Sequence, residues 1–199
     1  MRVFIAAIIL IFSFQSLVKA DDIRDFKIEG FSIFDNLLDN ADKLNLTKEE
    51  ILSKKIKYYP KSKRIGLLRF KNRGAFKVYD SVQFSVDTKS YKIYTISGII
   101  ENINSKEECT KKQKEIIKSL HEMAPSAEKV VEDYSVHLAD PSGKSIASGI
   151  YLDFISGDTL SAECYIWSKI FKDKGYDDNL KINIESKEGR LFLQNEAYP

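Results

Sequence analysis

Two cysteines set on different periodicities constrain this chain more tightly than any other feature. Cys109 shares one helical face with Ile116 and Leu120, while Cys164 alternates with Leu160, Ala162 and Ile166 on one face of a strand. Joining the two sulfurs requires a helix lying flat on a sheet. An even pair with no metal-ligand spacing reads first as a disulfide where the compartment is oxidising. The bridge would close a loop of about 55 residues and contribute on the order of 4 kcal/mol. The competing arrangement is two separately buried thiols.

The oxidising compartment follows from the first twenty residues. Arg2 opens a positive start, residues 3–12 are unbroken apolar, and Val18-Lys19-Ala20 offers compact side chains three and one positions before a cut ahead of Asp21. That pattern is a cleavable secretory signal, with cleavage between Ala20 and Asp21. Its apolar core is shorter than the ~20 residues of a spanning helix, so the mature form carries no transmembrane segment. The expected location is periplasmic or secreted. Loss of Arg2 and Lys19 leaves the mature chain with balanced charge, which excludes a whole-molecule polyanion-binding field.

Residues 21–199 fit a single α+β domain, with two similar halves, 21–104 and 105–199, suggested by a repeated order of helices followed by a meander. Ser32 before Ile33, Phe34, Leu37 and Leu38 predicts a helix start. Thr47 and Glu50 form a capping box for a helix over 48–57, and Ser105 with Glu108 opens a third, running to Met123 before Pro125. Period-two alternation predicts strands at 65–70, 79–86, 91–100, 134–139, 146–154, 159–167, around 180–184 and, after a turn at 187–189, at 190–194. The sum is about eight antiparallel strands with three main helices packed on one side.

Several segments carry a likeness. Asp25-Phe26-Lys27-Ile28-Glu29-Gly30-Phe31-Ser32-Ile33, Tyr79-Asp80-Ser81-Val82-Gln83, Lys112-Gln113-Lys114-Glu115-Ile116 and Gly175-Tyr176-Asp177-Asp178 resemble the pattern of an uncharacterised family of small exported proteins from marine alphaproteobacteria. The resemblance implies a periplasmic setting and no activity. The N-terminal half, where Gly30 and Ser32 open a helix that is followed by a second helix and three strands, is similar in fold to outer-membrane assembly lipoproteins and beta-lactamase-inhibitor proteins. Those bind other proteins; this chain lacks the lipidated cysteine.

Motifs of catalysis and metal binding are incomplete. Gly143-Lys144-Ser145 lacks the earlier glycine of a phosphate loop, Leu138 standing in its place. Asp39 and Glu50 have calcium-loop spacing, but Ala41, Lys43 and Leu44 occupy the ligand and glycine positions between them. Ser126 and Lys129 have a serine-lysine spacing without the companion motifs. His121 and His137 are general-base candidates with no carboxylate or nucleophile at a recognisable spacing. No catalytic residue, cofactor or metal is assigned.

Charge is uneven only in one stretch. Residues 48–77 hold eleven Lys or Arg against Glu49 and Glu50. Lys48, Lys55, Arg69, Lys71 and Arg73 are the candidate patch for an anionic envelope component or an acidic protein; nucleic acid fits a periplasmic protein poorly. A lysine-rich strand edge that blocks edge pairing explains the same composition. The sequence therefore points to a non-enzymatic binding or protein-interaction module. The alternative is a small-molecule-binding or hydrolytic domain with a cleft between sheet and helix, for which the two histidines would converge with acids in one pocket.

Overall fold

The computed structural model describes residues 22–198, so the signal segment with Ala20 and Asp21 lies outside the described residues. One antiparallel sheet contains β1 (Lys57–Tyr58), β2 (Ile65–Lys71), β3 (Ser81–Asp87), β4 (Ile93–Ile100), β5 (Glu128–Val136), β6 (Ile146–Asp153), β7 (Thr159–Ile166) and β8 (Asn179–Glu185). Their spatial order is β1-β2-β3-β4-β8-β7-β6-β5. Two four-stranded meanders thus meet where β4 pairs with β8. The helices are α1 (Lys48–Leu52), α2 (Lys106–Met123), α3 (Lys169–Lys172) and α4 (Lys187–Phe192), the last continuing into a π turn at Leu193–Ala197. This is the α+β class that the alternating strands and capped helix predict.

One face of the sheet is apolar and closed. Phe26, Ile28, Phe31, Ile33 and Leu37 of the N-terminal segment pack with Leu68, Phe70, Val82, Phe84 and Ile96 of the first meander. Phe31 meets Phe84 edge-on at 4.9 Å, and Phe84 lies 5.9 Å from Phe70. A glycine is required at 98 because a Cβ there would stand 2.5 Å from the Tyr79 ring. Over the second meander lies α2, with Cys109, Ile117 and Leu120 buried. Cys109 and Cys164 form a disulfide, Cα to Cα 5.9 Å, as the two periodicities require. Gln113, buried among them, donates to the carbonyls of Ala162 (2.8 Å) and Ser148 (3.3 Å), so its amide nitrogen is paired inside the layer.

Caps explain the helix starts. The Thr47–Glu50 capping box is complete. Ser105 Oγ accepts from the Glu108 amide at 3.1 Å, while the Glu108 carboxylate reaches one residue further, to the Asn104 amide at 3.0 Å. Lys112 and Asn104 hold that carboxylate down to about 2.

Four local expectations are corrected. No helix starts at Ser32: the Phe34 amide donates to Ile93 (2.7 Å) and the Ile93 amide to Asp35 (2.9 Å), so the segment bonds to the start of β4 instead of to itself. Phe34 takes a left-handed conformation, φ 70, to make that turn. The helix expected to 57 ends at Leu52, and Lys57–Tyr58 instead pairs with Gly66 and Leu67. The fifth strand begins at Glu128, because antiparallel pairing to β6 starts at Glu128↔Asp153. Residues 190–194 are helical. A hairpin after β8 needs a free edge on that strand, and both edges are taken by β4 and β7. Ser186 therefore caps α4, accepting from the Gly189 amide at 3.1 Å. The new helix crosses to the other face of the sheet, where Phe192 and Ala197 pack with Tyr59, Ile65 and Tyr94.

Among the described residues no helix is long and apolar enough to cross a membrane. The disulfide is consistent with an oxidising, exported location.

Candidate functional site: the open face of the sheet

Strand register decides what the second face presents. Arg69 stands opposite Gln83, Gln83 opposite Ser97, Ser97 opposite Asn183, Asn183 opposite Ser161 and Ser161 opposite Tyr151. Every residue in this row across six strands is polar. At ~4.8 Å per strand the row is about 24 Å wide. The short central side chains, Ser97, Asn183 and Ser161, are buried, whereas Gln83 and Tyr151 are half-buried and Arg69 is exposed. Long side chains on either side of short ones make a shallow trough.

The trough has two distinct ends. At one, α4 lies over Thr95, whose hydroxyl is 3.1 Å from a Cβ built at Gly189. At the other stands an aromatic cluster: Tyr165 stacks on Trp167 (5.6 Å, 9° between planes), Trp167 on Phe171 (5.2 Å, 12°), and His137 tilts against Trp167 at 4.8 Å. His137, Tyr165, Phe171 and Tyr176 crowd the indole with ring centroids at 4.8, 5.6, 5.2 and 5.0 Å, so this cluster is a wall and not a stacking platform.

Ionisable groups occupy the floor. Glu163 Oε1 accepts from Ser161 (2.9 Å) and Asn183 (2.8 Å), and Oε2 accepts from the Tyr165 hydroxyl. Lys181 stands directly across from Glu163 in the register. Burial lowers its ammonium pKa below the ordinary lysine value, against the opposing pull of Glu163 and Glu185. Four residues along β8, Glu185 is pushed up to about 7 by burial and then by the Glu163 carboxylate; Lys181, Arg190 and a 3.4 Å bond from Thr95 act the other way. Burial, followed by Glu163, also raises the Tyr165 phenol well above its usual range. Among the described residues Asn183 Oδ1 is buried without a hydrogen-bond partner. A trough of this kind can accept and donate hydrogen bonds along its whole width and can place one charge of either sign near its centre.

The residues singled out from sequence are dispersed. Arg69 lies in the polar row, donating to Ser81 (3.1 Å) and pairing with Glu101 (2.6 Å). Lys71, two residues on, shares its face at the margin of the trough and is exposed, as is Arg73 in the following loop. Lys48 pairs with Asp39 at 2.8 Å and belongs to α1, whose Ile51 is buried in the core of the closed face. Lys55 is exposed beyond α1. Arg69 and Lys71 therefore lie on the open side of the sheet margin and Lys48 on the closed side. His121 lies on α2, over the closed face, and His137 at the aromatic wall of the open one. Gly143-Lys144-Ser145 is a hairpin turn organised by Asp140, which accepts from Ser142 (2.9 Å) and Ser145 (3.0 Å) amides. Between α2 and the sheet, the disulfide, Ile117, Leu120 and Gln113 fill the layer. A surface depression of about 430 Å³ beside α4 is lined by Phe34, Arg64, Asp158, Glu188 and Phe192 among others, with no histidine.

Sequence reading missed the polar row. Its members are visible as the polar alternates of single strands, such as Gln83 in β3 and Asn183 in β8, but only the register aligns them. No protein-family model, curated protein or solved structure matched this chain in comparisons with known proteins.

Proposed function

We propose that this chain is an exported, non-enzymatic binding module that seats a segment of another protein across the open sheet face. The observation that carries the reading is the six-strand polar row, Arg69 to Tyr151, lying between α4 and the aromatic wall. A wide, shallow polar surface suits an extended or looped polypeptide better than a small molecule, which favours an enclosed and mostly apolar site. Arg69 and Lys71 form a basic margin that favours an acidic segment. The signal-like first twenty residues, and the likeness to small exported proteins, support a periplasmic or secreted location. The fold-level similarity of the N-terminal half to proteins that bind other proteins supports the interaction role.

Affinity capture from envelope extract tests the proposal. The mature chain, Tyr151→Ala with Lys181→Ala, and Arg69→Glu with Lys71→Glu and Arg73→Glu would be compared with Lys118→Ala, a control on α2 away from the trough. One captured protein should be retained by wild type and the control and be lost from both sets of trough variants. Equal capture by all four proteins would sink the reading. Retention of wild type but not the triple Glu variant on anionic vesicles, with no captured protein, would replace the protein partner by a lipid one.

A further inference from the structure

The two edges of the sheet are unlike. Edge strand β1 is two residues long, and Pro60 with Lys54, Lys55, Lys57 and Lys61 surrounds it. Short, lysine-rich edges with a nearby proline are how proteins prevent pairing with another chain. The opposite edge, β5, is nine residues long, and all but Tyr134 are exposed. It shows Val130 (38% exposed) on the open face, opposite Tyr151, and Val131 (57%) on the other, opposite Ile150. A register shift between Glu132 and Ser135 marks a bulge, which ends the regular edge near Asp133.

We infer that β5 is a homodimer edge, pairing antiparallel with β5 of a second copy about a two-fold axis at Val131. Charge selects both occupant and register. Antiparallel self-pairing centred on Val131 sets Lys129 opposite Asp133 of the copy, twice by symmetry, with Val130 opposite Glu132 and no like charges opposed. Centring on Val130 opposes Glu128 to Glu132, and centring on Glu132 opposes that residue to itself. The half-step between Val130 and Val131 opposes Glu128 to Asp133. The half-step between Val131 and Glu132 leaves Lys129 opposite Tyr134, without an ion pair. A two-fold contact is self-complementary, and only the Val131 centre supplies that complementarity in charge. The product is a sixteen-stranded sheet whose two open faces are continuous. The pairing rests on β5 alone and stands independently of what the trough binds.

Sedimentation equilibrium of the mature protein, with far-UV circular dichroism as a check on folding, tests the inference. Wild type is expected to dimerise. Lys129→Asp and Asp133→Lys each place like charges across the axis twice, which should weaken the dimer by about tenfold or more. Combining Lys129→Asp with Asp133→Lys exchanges the signs and should restore it. Val131→Asp, which puts two carboxylates on the axis, should be monomeric while still folded. A wild type that is monomeric at ~100 μM, far above the ~1 μM range of a modest specific affinity, would overturn the inference. So would a dimer indifferent to the single exchanges, or a double exchange that fails to recover.

Discussion

The closed and open faces of this sheet are made by the same strands, residue by alternate residue, yet they do different work. On the closed face Phe84, Val82 and Ile96 meet the N-terminal segment, and Ala162, Cys164 and Ile182 meet α2, so the six inner strands, β2 to β4 and β6 to β8, all contribute to the hydrophobic core. On the open face the alternates are Gln83, Ser97, Asn183, Ser161 and Glu163, of which the last three hydrogen-bond to one another. Stability is therefore concentrated on one side of a sheet about one residue thick. The other side is free to carry groups that a core would not tolerate, including a lysine and two carboxylates within one stretch of β7 and β8.

The sharpest way to break this comparison is a cavity in the closed face. Phe84 is fully buried between Phe31 and Phe70. Phe84→Ala should cost about 3–5 kcal/mol in urea unfolding, enough to leave a marginally stable domain largely unfolded. A loss below about 1 kcal/mol would mean that the aromatic stack does not hold the two layers together.

The staple between α2 and the sheet comes next. Replacing Cys109 and Cys164 together by Ala should cost about 2–4 kcal/mol, mainly by freeing the unfolded chain. Thiol titration of the unfolded, unreduced wild type should find no free sulfhydryl. Two free thiols, or unchanged stability in the double variant, would remove the disulfide from the account of the closed face.

The smallest effect belongs to the open face and appears as a pH dependence. Glu185 has a folded-state pKa of about 7 against an ordinary value of 4.5. The folded state thus binds that proton more tightly than the unfolded one. The resulting stability is complete below about pH 4.5 and is lost as pH rises through about 7. Titrating urea midpoints from pH 4 to pH 8, wild type should fall relative to Glu185→Gln over that window. Parallel curves for the two proteins would show that Glu185 titrates as an ordinary exposed carboxylate, and that the trough is wetter than its geometry implies.

Local chemistry was legible in the sequence wherever neighbours along the chain decide the outcome. The Thr47–Glu50 box, the Ser105 cap, the hairpin turn at 141–143 and the alternation of β3 and β8 depend on residues within a turn or two of each other. The cysteine pair was legible too, because each sulfur sat on the apolar face of its own element and two such faces have to meet. Tertiary structure decided the rest. Ser32 opens no helix because Ile93, sixty residues away, takes the backbone bond that the helix would need. Residues 190–194 are not a strand because β4 and β7 had already occupied both edges of β8. The polar row was beyond the sequence for the same reason: period two says that Gln83, Ser97, Asn183 and Ser161 share faces within their own strands. Only the pairing of β4 with β8, between halves of the chain, puts them in one line.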